Sequence, residues 1–303
     1  MTDQPGEPAV LDLAAAPLVG LDELEFIADG VDHAEGICVT LDGVLFVSGE
    51  AGQVYRVAED GTAAEVATTG GWTLGLAADA AGRIYACDPK EHRVWRLDPA
   101  DWHPEVFTTG APGVPLTTPN WGAFGPDGTY YFSDSGRWKA RDGAILAVHP
   151  GGVTEIWTRA SVDFPNGLAV SPVCRELWVL ESTPGRLVRF GIRPDGTAGE
   201  REVLVELPGT VPDGIAFATD GSVVIACYRP DVVLRWRADV GTTLLAGDPE
   251  GTALAAPTNC VFYGPGLATI AVPNIGRWHV TRFRVPGLSG VPLFYPTDEQ
   301  LSA

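Results

Sequence analysis

Four side chains that carry oxygen occur at equivalent points of a repeated sequence phrase. They are Glu35, Asn120, Asn166 and Asp213, and they stand in the stretches "AEGICV", "PNWGAF", "PNGLAV" and "PDGIAF". Carboxylate and carboxamide oxygens are hard ligands of the kind that Ca²⁺, Mg²⁺ and Mn²⁺ prefer. If the fold brings the four residues together, they predict a divalent-cation site with room for water or substrate, as a Lewis-acid catalyst needs.

The dipeptide Asn166-Gly167 allows two interpretations. Asn-Gly is the strongest short signal for a hairpin turn, and Asn or Asp beside Gly often begins a turn by bonding its own backbone. Here, however, a polar and charged stretch precedes the pair and an apolar strand run follows it. Four oxygen-bearing residues at equivalent positions favour a shared ligand role over four unrelated turns.

The positions are equivalent because the chain repeats one unit six times. Each copy has an anchor residue, an apolar strand, a turn and a second strand. The anchors are Glu35, Thr73, Asn120, Asn166, Asp213 and Asn259, at successive spacings of 38, 47, 46, 47 and 46 residues. The turn dipeptides are Asp42-Gly43, Ala81-Gly82, Asp127-Gly128 and Asp220-Gly221. Two further alternating strands follow most copies, so each unit contains about four strands.

Four antiparallel strands repeated every 40 to 50 residues are typical of a β-propeller blade. We therefore predict an all-β, six-bladed β-propeller with four-stranded antiparallel blades and a central metal-binding channel. An open solenoid is the alternative, but a closed ring needs no end caps. The anchors begin the inner strands and should point toward the channel axis. Residues 21–30 are predicted to supply the outer strand of the last blade, beside residues 278–285.

The composition limits the function classes. With 39 acidic and 20 basic residues the net charge is −19, which argues against nucleic acid as a partner. The apolar run in the first twenty residues is short and interrupted by Asp12, so neither a signal peptide nor a membrane segment is expected. Five widely spaced cysteines predict buried, reduced thiols in a cytoplasmic protein. The expected partner is a small-molecule substrate.

We expect one propeller domain over residues 21–290, preceded by an N-terminal extension over 1–20 and followed by a C-terminal tail over 291–303. The glycines and prolines are spread evenly along the chain, so no segment has the composition of a disordered linker. The sequence makes no prediction of the oligomeric state.

The motifs resemble those of the regucalcin/gluconolactonase/luciferin-regenerating-enzyme family of six-bladed propellers, which includes drug-responsive lactonases. The matching pieces are "AEGICV", "PNWGAFGPDGTYYFSDSG", "FPNGLAVSPVCRELWVLES" and "VPDGIAFATDGSVVIACY", and the resemblance runs from about residue 20 to 285. It implies metal ligation by Glu35, Asn166 and Asp213, with Asn120 as a ligand or substrate contact. Family members hydrolyse lactones, and some hydrolyse organophosphates, with Ca²⁺ or another divalent ion (Zn²⁺, Mg²⁺ or Mn²⁺). Asp213 would be the general base or a metal-bound carboxylate.

The sequence departs from the family pattern around Asn120. In sugar-lactone members the next residue is an Asp and the residue two before is an Arg, and both reach sugar hydroxyls. Here these positions hold Trp121 and Thr118. Exchanging a charged hydrogen-bonding pair for an indole predicts a substrate pocket for an apolar or aromatic lactone rather than a polyhydroxylated one.

Three other aromatic residues lie near anchors: Trp72, Phe164 and Tyr228. They are candidates for the same pocket wall, although aromatic residues also pack between propeller blades. His33, two residues before Glu35, is a candidate proton carrier. Glu181 and Ser182 end the second strand of the fourth repeat and are predicted to satisfy hydrogen bonds within that blade.

Other functions stay open at this point. No G-x-S-x-G motif indicates a serine hydrolase, and no pair of histidines has the spacing of metal ligands. Propellers are frequent protein-binding platforms, and a fold does not determine a function. A non-hydrolytic propeller enzyme of the strictosidine-synthase type is a further alternative, since an aromatic channel mouth would suit it.

Overall fold

The chain folds into a ring of six four-stranded antiparallel sheets, which confirms the predicted six-bladed propeller. The computed structural model describes residues 11–172 and 175–302. The first strand, β1 (Glu25–Ile27), belongs to the last blade. Blade 1 contains β2 (Ile37–Val39), β3 (Leu45–Ser48), β4 (Gln53–Val57) and β5 (Ala63–Thr68). Blade 2 contains β6 (Leu76–Ala78), β7 (Ile84–Asp88), β8 (Arg93–Leu97) and β9 (Pro104–Thr108).

A short hairpin separates the second and third blades, formed by β10 (Gly110–Ala111) and β11 (Val114–Pro115). Blade 3 contains β12 (Pro119–Phe124), β13 (Tyr130–Asp134), β14 (Ala144–Val148) and β15 (Thr154–Thr158). Blade 4 contains β16 (Pro165–Val170), β17 (Glu176–Glu181), β18 (Arg186–Ile192) and β19 (Ala198–Glu206).

The last two blades complete the ring. Blade 5 contains β20 (Val211–Phe217), β21 (Val223–Arg229), β22 (Val232–Arg237) and β23 (Gly241–Gly247). Blade 6 contains β24 (Val261–Tyr263), β25 (Thr269–Pro273) and β26 (Val280–Phe283), with β1 as its outer strand. Helix is confined to two 3₁₀ turns (Leu21–Glu23 and Pro265–Leu267) and α1 (Asp298–Ser302) in the described residues.

The ring closes as the sequence predicts. β1 pairs antiparallel with β26, with Glu25 opposite Arg282 and Ile27 opposite Val280. One sheet is thus built from both ends of the propeller, which joins the first strand of the chain to the last blade. The Arg282 guanidinium also forms an ion pair with Glu25 at 2.7 Å.

The predicted turn glycines lie at the reversals between the first and second strands of four blades. Gly43, Gly82, Gly128 and Gly221 have φ angles of 86°, 78°, 86° and 80°, in the left-handed region that glycine adopts without strain. These four dipeptides are therefore the hairpin turns, as expected.

The core is divided among the blade interfaces. Each of six apolar clusters in the described residues lies between two neighbouring blades; for example, Tyr131 and Ile145 of blade 3 pack against Val179 and Val188 of blade 4. Burial of these faces holds the ring together through the hydrophobic effect. It also fixes the position of each inner strand relative to the next, on which the channel geometry depends.

The C-terminal segment covers one end of the channel. Val291 N–H donates to the Phe217 carbonyl of blade 5 (3.2 Å), and the Tyr295 hydroxyl donates to the Val39 carbonyl of blade 1 (2.9 Å). Residues 291–295 and inner-strand residues of all six blades together line an apolar cavity of about 90 Å³ in the channel. The hairpin turns between first and second strands lie at this end, so the anchors lie at the opposite end.

Phe294 of this segment packs against the apolar clusters on both sides of blade 3. We expect Phe294→Ala to lower the free energy of unfolding by about 2 kcal/mol, because the ring is half-buried and its removal leaves a void. Leu293→Ala is the matched control: its side chain is 46% exposed and should contribute less than about 0.5 kcal/mol. Urea unfolding of both variants measures the difference, and equal costs would contradict the contribution of Phe294 to these two clusters.

The cysteines in the described residues are free and buried, as predicted: Cys38, Cys87, Cys227 and Cys260. Burial raises the pKa of the Cys87 and Cys260 thiols to about 12, which keeps them protonated and unreactive. Cys174 lies outside the described residues. No helix in the described part of the chain has the length and apolar character needed to cross a membrane.

Candidate metal centre

Three of the four predicted ligands lie at irregularities in their inner strands. The pairing of β12 with β13 shifts register between Pro119 and Trp121, at Asn120. The same shift occurs in β16 at Asn166-Gly167 and in β20 at Asp213. A β-bulge re-aims a side chain relative to its neighbours and is common beside active sites. Asn166-Gly167 therefore lies within a strand, and its interpretation as a hairpin turn is wrong.

The glycine after an anchor allows neighbouring blades to approach closely. A Cβ atom on Gly167 would lie 2.2 Å from the Asp213 carbonyl oxygen, and one on Gly214 would lie 2.5 Å from the Asn259 Cα. Any side chain at these positions would push the next inner strand away from the axis. The sequence pattern of anchor followed by glycine thus reflects close packing of consecutive inner strands.

The four predicted ligands are buried, and two of them carry a side-chain oxygen without a hydrogen-bond partner. Glu35, Asn120, Asn166 and Asp213 are between 3% and 8% exposed. Glu35 Oε2 and Asn166 Oδ1 are buried and accept no hydrogen bond. Leaving a polar atom buried without a partner is costly, and such atoms in native proteins commonly await an ion, a water or a substrate.

The Glu35 carboxyl interacts electrostatically with Asp213, and the Asn166 side chain donates a hydrogen bond to Asp213. Burial raises the pKa of Glu35 well above its usual value of 4.5, and the nearby Asp213 carboxylate raises it further. Burial likewise raises the pKa of Asp213 well above 3.8, opposed in part by a hydrogen bond from Asn166. Two buried carboxylates that repel each other are relieved by a cation between them.

Asn120 adjoins this group through the backbone of blade 4. Its Nδ2 donates to Ser135 Oγ at 3.1 Å, and that hydroxyl in turn donates to the carbonyl of Pro165, the residue before Asn166, at 2.6 Å. The contacts thus link Glu35 and Asn166 each to Asp213, and Asn120 through Ser135 to the residue before Asn166. Their shared role as metal ligands stays a prediction.

The other two anchors make local contacts. Asn259 Oδ1 accepts the backbone N–H of Cys260 at 2.6 Å, and Thr73 Oγ1 lies 3.4 Å from Thr69 Oγ1. Their side-chain oxygens are thus engaged elsewhere.

The donor set fits a hard divalent cation. It consists of two carboxylates and two carboxamides, with two oxygens lacking partners, and Ca²⁺ takes such oxygens readily. In the described residues no group of three or more His, Cys, Asp or Glu side chains could hold a metal. A structural zinc site built on thiolates and imidazoles is therefore not found in that part of the chain.

The predicted substrate residues occupy different environments. Trp121 is buried in the apolar cluster between blades 3 and 4, where it packs with Tyr131 and Leu168, and it also lines the channel cavity. Thr118 is half-buried, and its backbone N–H donates to the Asp134 carboxylate at 2.5 Å. Neither placement shows a substrate contact, so both roles stay predictions.

Several aromatic side chains lie on the face of the propeller that carries the anchors. Trp72 precedes β6 and Tyr228 is the penultimate residue of β21, and both are partly exposed. Phe164 stacks edge-to-face with Trp138 at a centroid distance of 4.9 Å. Inner strands begin, and second strands end, at the same end of each blade, so these residues share the face that carries the anchors. The rim suits an apolar or aromatic ligand.

Sequence reasoning missed two rim residues, Trp138 and Trp278, which are 48% and 61% exposed. Both follow second strands, β13 and β25. This position in the repeat was the signal from which they could have been predicted to lie on the anchor face. Trp278 Nε1 donates to His33 Nε2 at 3.0 Å, while His33 Nδ1 lies 2.8 Å from Asp32 Oδ1. Both nitrogens of His33 are thus engaged, which does not favour its predicted role as a proton carrier.

Residues 24–274 match the sequence model of the SMP-30/Gluconolactonase/LRE-like region. Since the match covers most of the chain, the protein belongs to the SMP-30/gluconolactonase/LRE-like family, as the motifs predicted. No protein with a curated description matches the chain in sequence.

Solved structures share the fold at low sequence identity. A gluconolactonase from Xanthomonas campestris is 22% identical, with 92% of this chain and 95% of that chain covered and a TM-score of 0.75. Regucalcin from Agrobacterium tumefaciens, described as calcium-binding, is 16% identical, with 89% and 97% covered and a TM-score of 0.70. Virginiamycin B lyase from Staphylococcus aureus is 15% identical, with 91% and 90% covered and a TM-score of 0.62.

Proposed function

We propose that this chain is a divalent-metal-dependent lactonase that opens an apolar or aromatic cyclic ester. The observation that carries the proposal is the pair of unpartnered buried oxygens, Glu35 Oε2 and Asn166 Oδ1, beside the buried carboxylate of Asp213. Membership of a family named for gluconolactonase, and the likeness to a regucalcin described as calcium-binding, support the reaction class and the choice of Ca²⁺.

Glu35, Asn166, Asp213 and Asn120 would hold the ion. When bound, a divalent cation polarises the ester carbonyl and stabilises negative charge that develops on its oxygen. Zn²⁺, Mg²⁺ and Mn²⁺ are the alternatives to Ca²⁺ in this role.

The residues of the chain supply the rest of the chemistry. Asp213 accepts a proton from the attacking water and returns it to the ring oxygen when the acyl C–O bond breaks, so that one water is consumed and a hydroxy acid forms. The Asn166 amide, which donates to Asp213, holds that carboxylate in place. The aromatic rim, including Trp72 and Tyr228, orients an apolar ring system over the site and excludes bulk water.

A panel assay tests the proposal. The protein is stripped with a chelator, reloaded separately with each of the four ions, and given benzo-fused, aliphatic and polyhydroxylated lactones, simple esters and phosphotriesters. We expect Ca²⁺-dependent hydrolysis, fastest with the benzo-fused lactone. A protein that hydrolyses lactones equally well after chelation, or that binds Ca²⁺ but hydrolyses nothing in the panel, would overturn the proposal.

A non-hydrolytic reaction is the second candidate, because virginiamycin B lyase shares the fold and because the aromatic rim fits a large ligand. The two reactions differ in the fate of water. Hydrolysis incorporates an oxygen from isotopically labelled water into the product acid, whereas elimination incorporates none. Mass spectrometry of the product therefore separates them.

A further inference from the structure

A hydrogen-bond relay runs behind Asn166. Asn166 Nδ2 donates to Ser182 Oγ at 3.2 Å, and Ser182 Oγ donates to the Pro212 carbonyl of blade 5 at 2.7 Å. Ser182 is fully buried and directly follows β17. Its hydroxyl thus links the asparagine of one blade to the residue that precedes Asp213 in the next blade.

Blade 3 contains the same relay. Asn120 Nδ2 donates to Ser135 Oγ at 3.1 Å, and Ser135 Oγ donates to the Pro165 carbonyl at 2.6 Å. Ser135 is fully buried and directly follows β13, so it matches Ser182 in position as well as in contacts. The repetition in two blades makes an accidental arrangement a poor explanation.

The relay determines which way each carboxamide faces. A proline carbonyl can only accept, so the single hydrogen of the Ser182 hydroxyl is directed to Pro212 and the oxygen accepts from its other neighbour. That neighbour must therefore be the nitrogen of the Asn166 side chain. Its oxygen is left on the other side, where Asn166 Oδ1 is buried without a partner.

We propose that Ser182 and Ser135 are positioning residues that lock the Asn166 and Asn120 carboxamides with their oxygens toward the cation. The inference rests on the proposed metal function. In the described residues Glu35 and Asp213 have no such serine, and they need none, because either face of a carboxylate presents an oxygen. The serine relay thus occurs only behind the two carboxamides, whose oxygen and nitrogen ends differ.

A double-mutant cycle with Ca²⁺ as the probe tests the inference. In isothermal titration of the metal-free protein, Ser182→Ala should weaken Ca²⁺ binding by about tenfold or more, as loss of an outer hydrogen-bond partner of a metal ligand commonly does. In the Asn166→Asp background the same change should cost less than about threefold, because a carboxylate needs no orientation. A purely structural serine would cost the same in both backgrounds, and that result, or no loss in either, would overturn the inference.

A second measurement does not depend on the metal. The side-chain NH₂ of Asn166 should exchange slowly with solvent in the parent protein and faster in Ser182→Ala, as followed by NMR. A parent protein that binds no divalent cation but keeps a protected NH₂ would overturn the proposed function and leave the relay standing. An unprotected NH₂ would overturn the relay. If Ser182→Ala does not fold, Ser135→Ala with Asn120→Asp provides the same cycle in blade 3.

Discussion

Asp213→Asn is expected to lower Ca²⁺-dependent lactone hydrolysis by at least about a hundredfold. The substitution keeps the shape of the side chain but removes the proton acceptor, and general-base catalysis commonly contributes about 10²- to 10⁴-fold. It also removes one of the two negative charges that attract the cation, so Ca²⁺ affinity should fall as well. Initial rates at saturating Ca²⁺ separate the loss of chemistry from the loss of binding.

The same variant should change stability in opposite directions with and without the ion. Without a cation, Glu35 and Asp213 are two buried carboxylates that repel each other, so Asp213→Asn should unfold at the same temperature as the parent or higher. With saturating Ca²⁺ the parent protein should be stabilised by ion binding and unfold at a higher temperature than the variant.

Asp239→Asn is the matched control. Asp239 is an exposed carboxylate paired with Arg237 at 2.6 Å, and its replacement changes the net charge of the protein by the same amount. Activity, Ca²⁺ affinity and unfolding temperature should stay as in the parent protein. Full activity in Asp213→Asn would contradict the assignment of Asp213 as the base.

Glu181→Gln is expected to lower the free energy of unfolding by about 3 kcal/mol, because removing one partner from a buried ion pair leaves the others uncompensated. The Glu181 carboxylate is fully buried and accepts hydrogen bonds from Arg186 (2.5 Å), Arg201 (2.7 Å) and Ser161 (2.7 Å). Both arginines lie on strands of blade 4, so these ion pairs lie within the blade, as predicted for Glu181. The prediction was only partly right for Ser182, whose hydroxyl accepts within the blade but donates to Pro212 of blade 5. Urea unfolding measures the loss.

The contribution of Glu181 should disappear in acid. Burial alone would raise its pKa, but hydrogen bonds from Arg201, Ser161 and Arg186 outweigh burial and hold the pKa below its usual value of 4.5. A carboxylate whose pKa is lowered by folding stabilises the protein above its unfolded pKa and loses that effect as the pH falls through the folded value. The difference in unfolding free energy between the parent protein and Glu181→Gln should therefore be constant above about pH 5. It should shrink as the pH falls below the pKa that Glu181 has in the unfolded chain.

Glu176→Gln is the control for this prediction. Glu176 begins the same strand and pairs with Arg189 at 3.1 Å, but both side chains are partly exposed, so the loss should stay below about 1 kcal/mol. Equal losses in the two variants would show that burial does not strengthen the Glu181 network. Unchanged stability in Glu181→Gln would contradict the account of blade 4.

The repeat made the fold predictable because each blade contains its own turn chemistry and strand alternation. Asp42-Gly43 and Asp127-Gly128 mark reversals that depend on local backbone preferences, and the structure places both at hairpins. Closure by β1 was also predictable, since residues 21–30 had no partner within their own repeat. The path of residues 291–302 across the channel end was not predictable, because it depends on contacts distant in sequence such as Tyr295 with Val39.

The candidate ligands were chosen from residue type at equivalent positions, but their surroundings could not be predicted. The bulge at Asn166 and the unpartnered Oδ1 atom arise from packing against the next blade, which no local pattern encodes. Trp121 illustrates the limit: its position beside Asn120 suggested a pocket wall but gave no sign of its packing between blades 3 and 4. In a strand, neighbouring residues point to opposite faces, and the bulge at Asn120 alters that alternation further.

Calorimetric titration of the chelator-stripped protein with Ca²⁺ tests the central claim most directly, with Asn166→Ala and Asn166→Asp titrated alongside. We expect one saturable Ca²⁺ site per chain, weaker binding in Asn166→Ala, and equal or tighter binding in Asn166→Asp. The absence of saturable binding in the parent protein, or the same affinity in both variants, would contradict it.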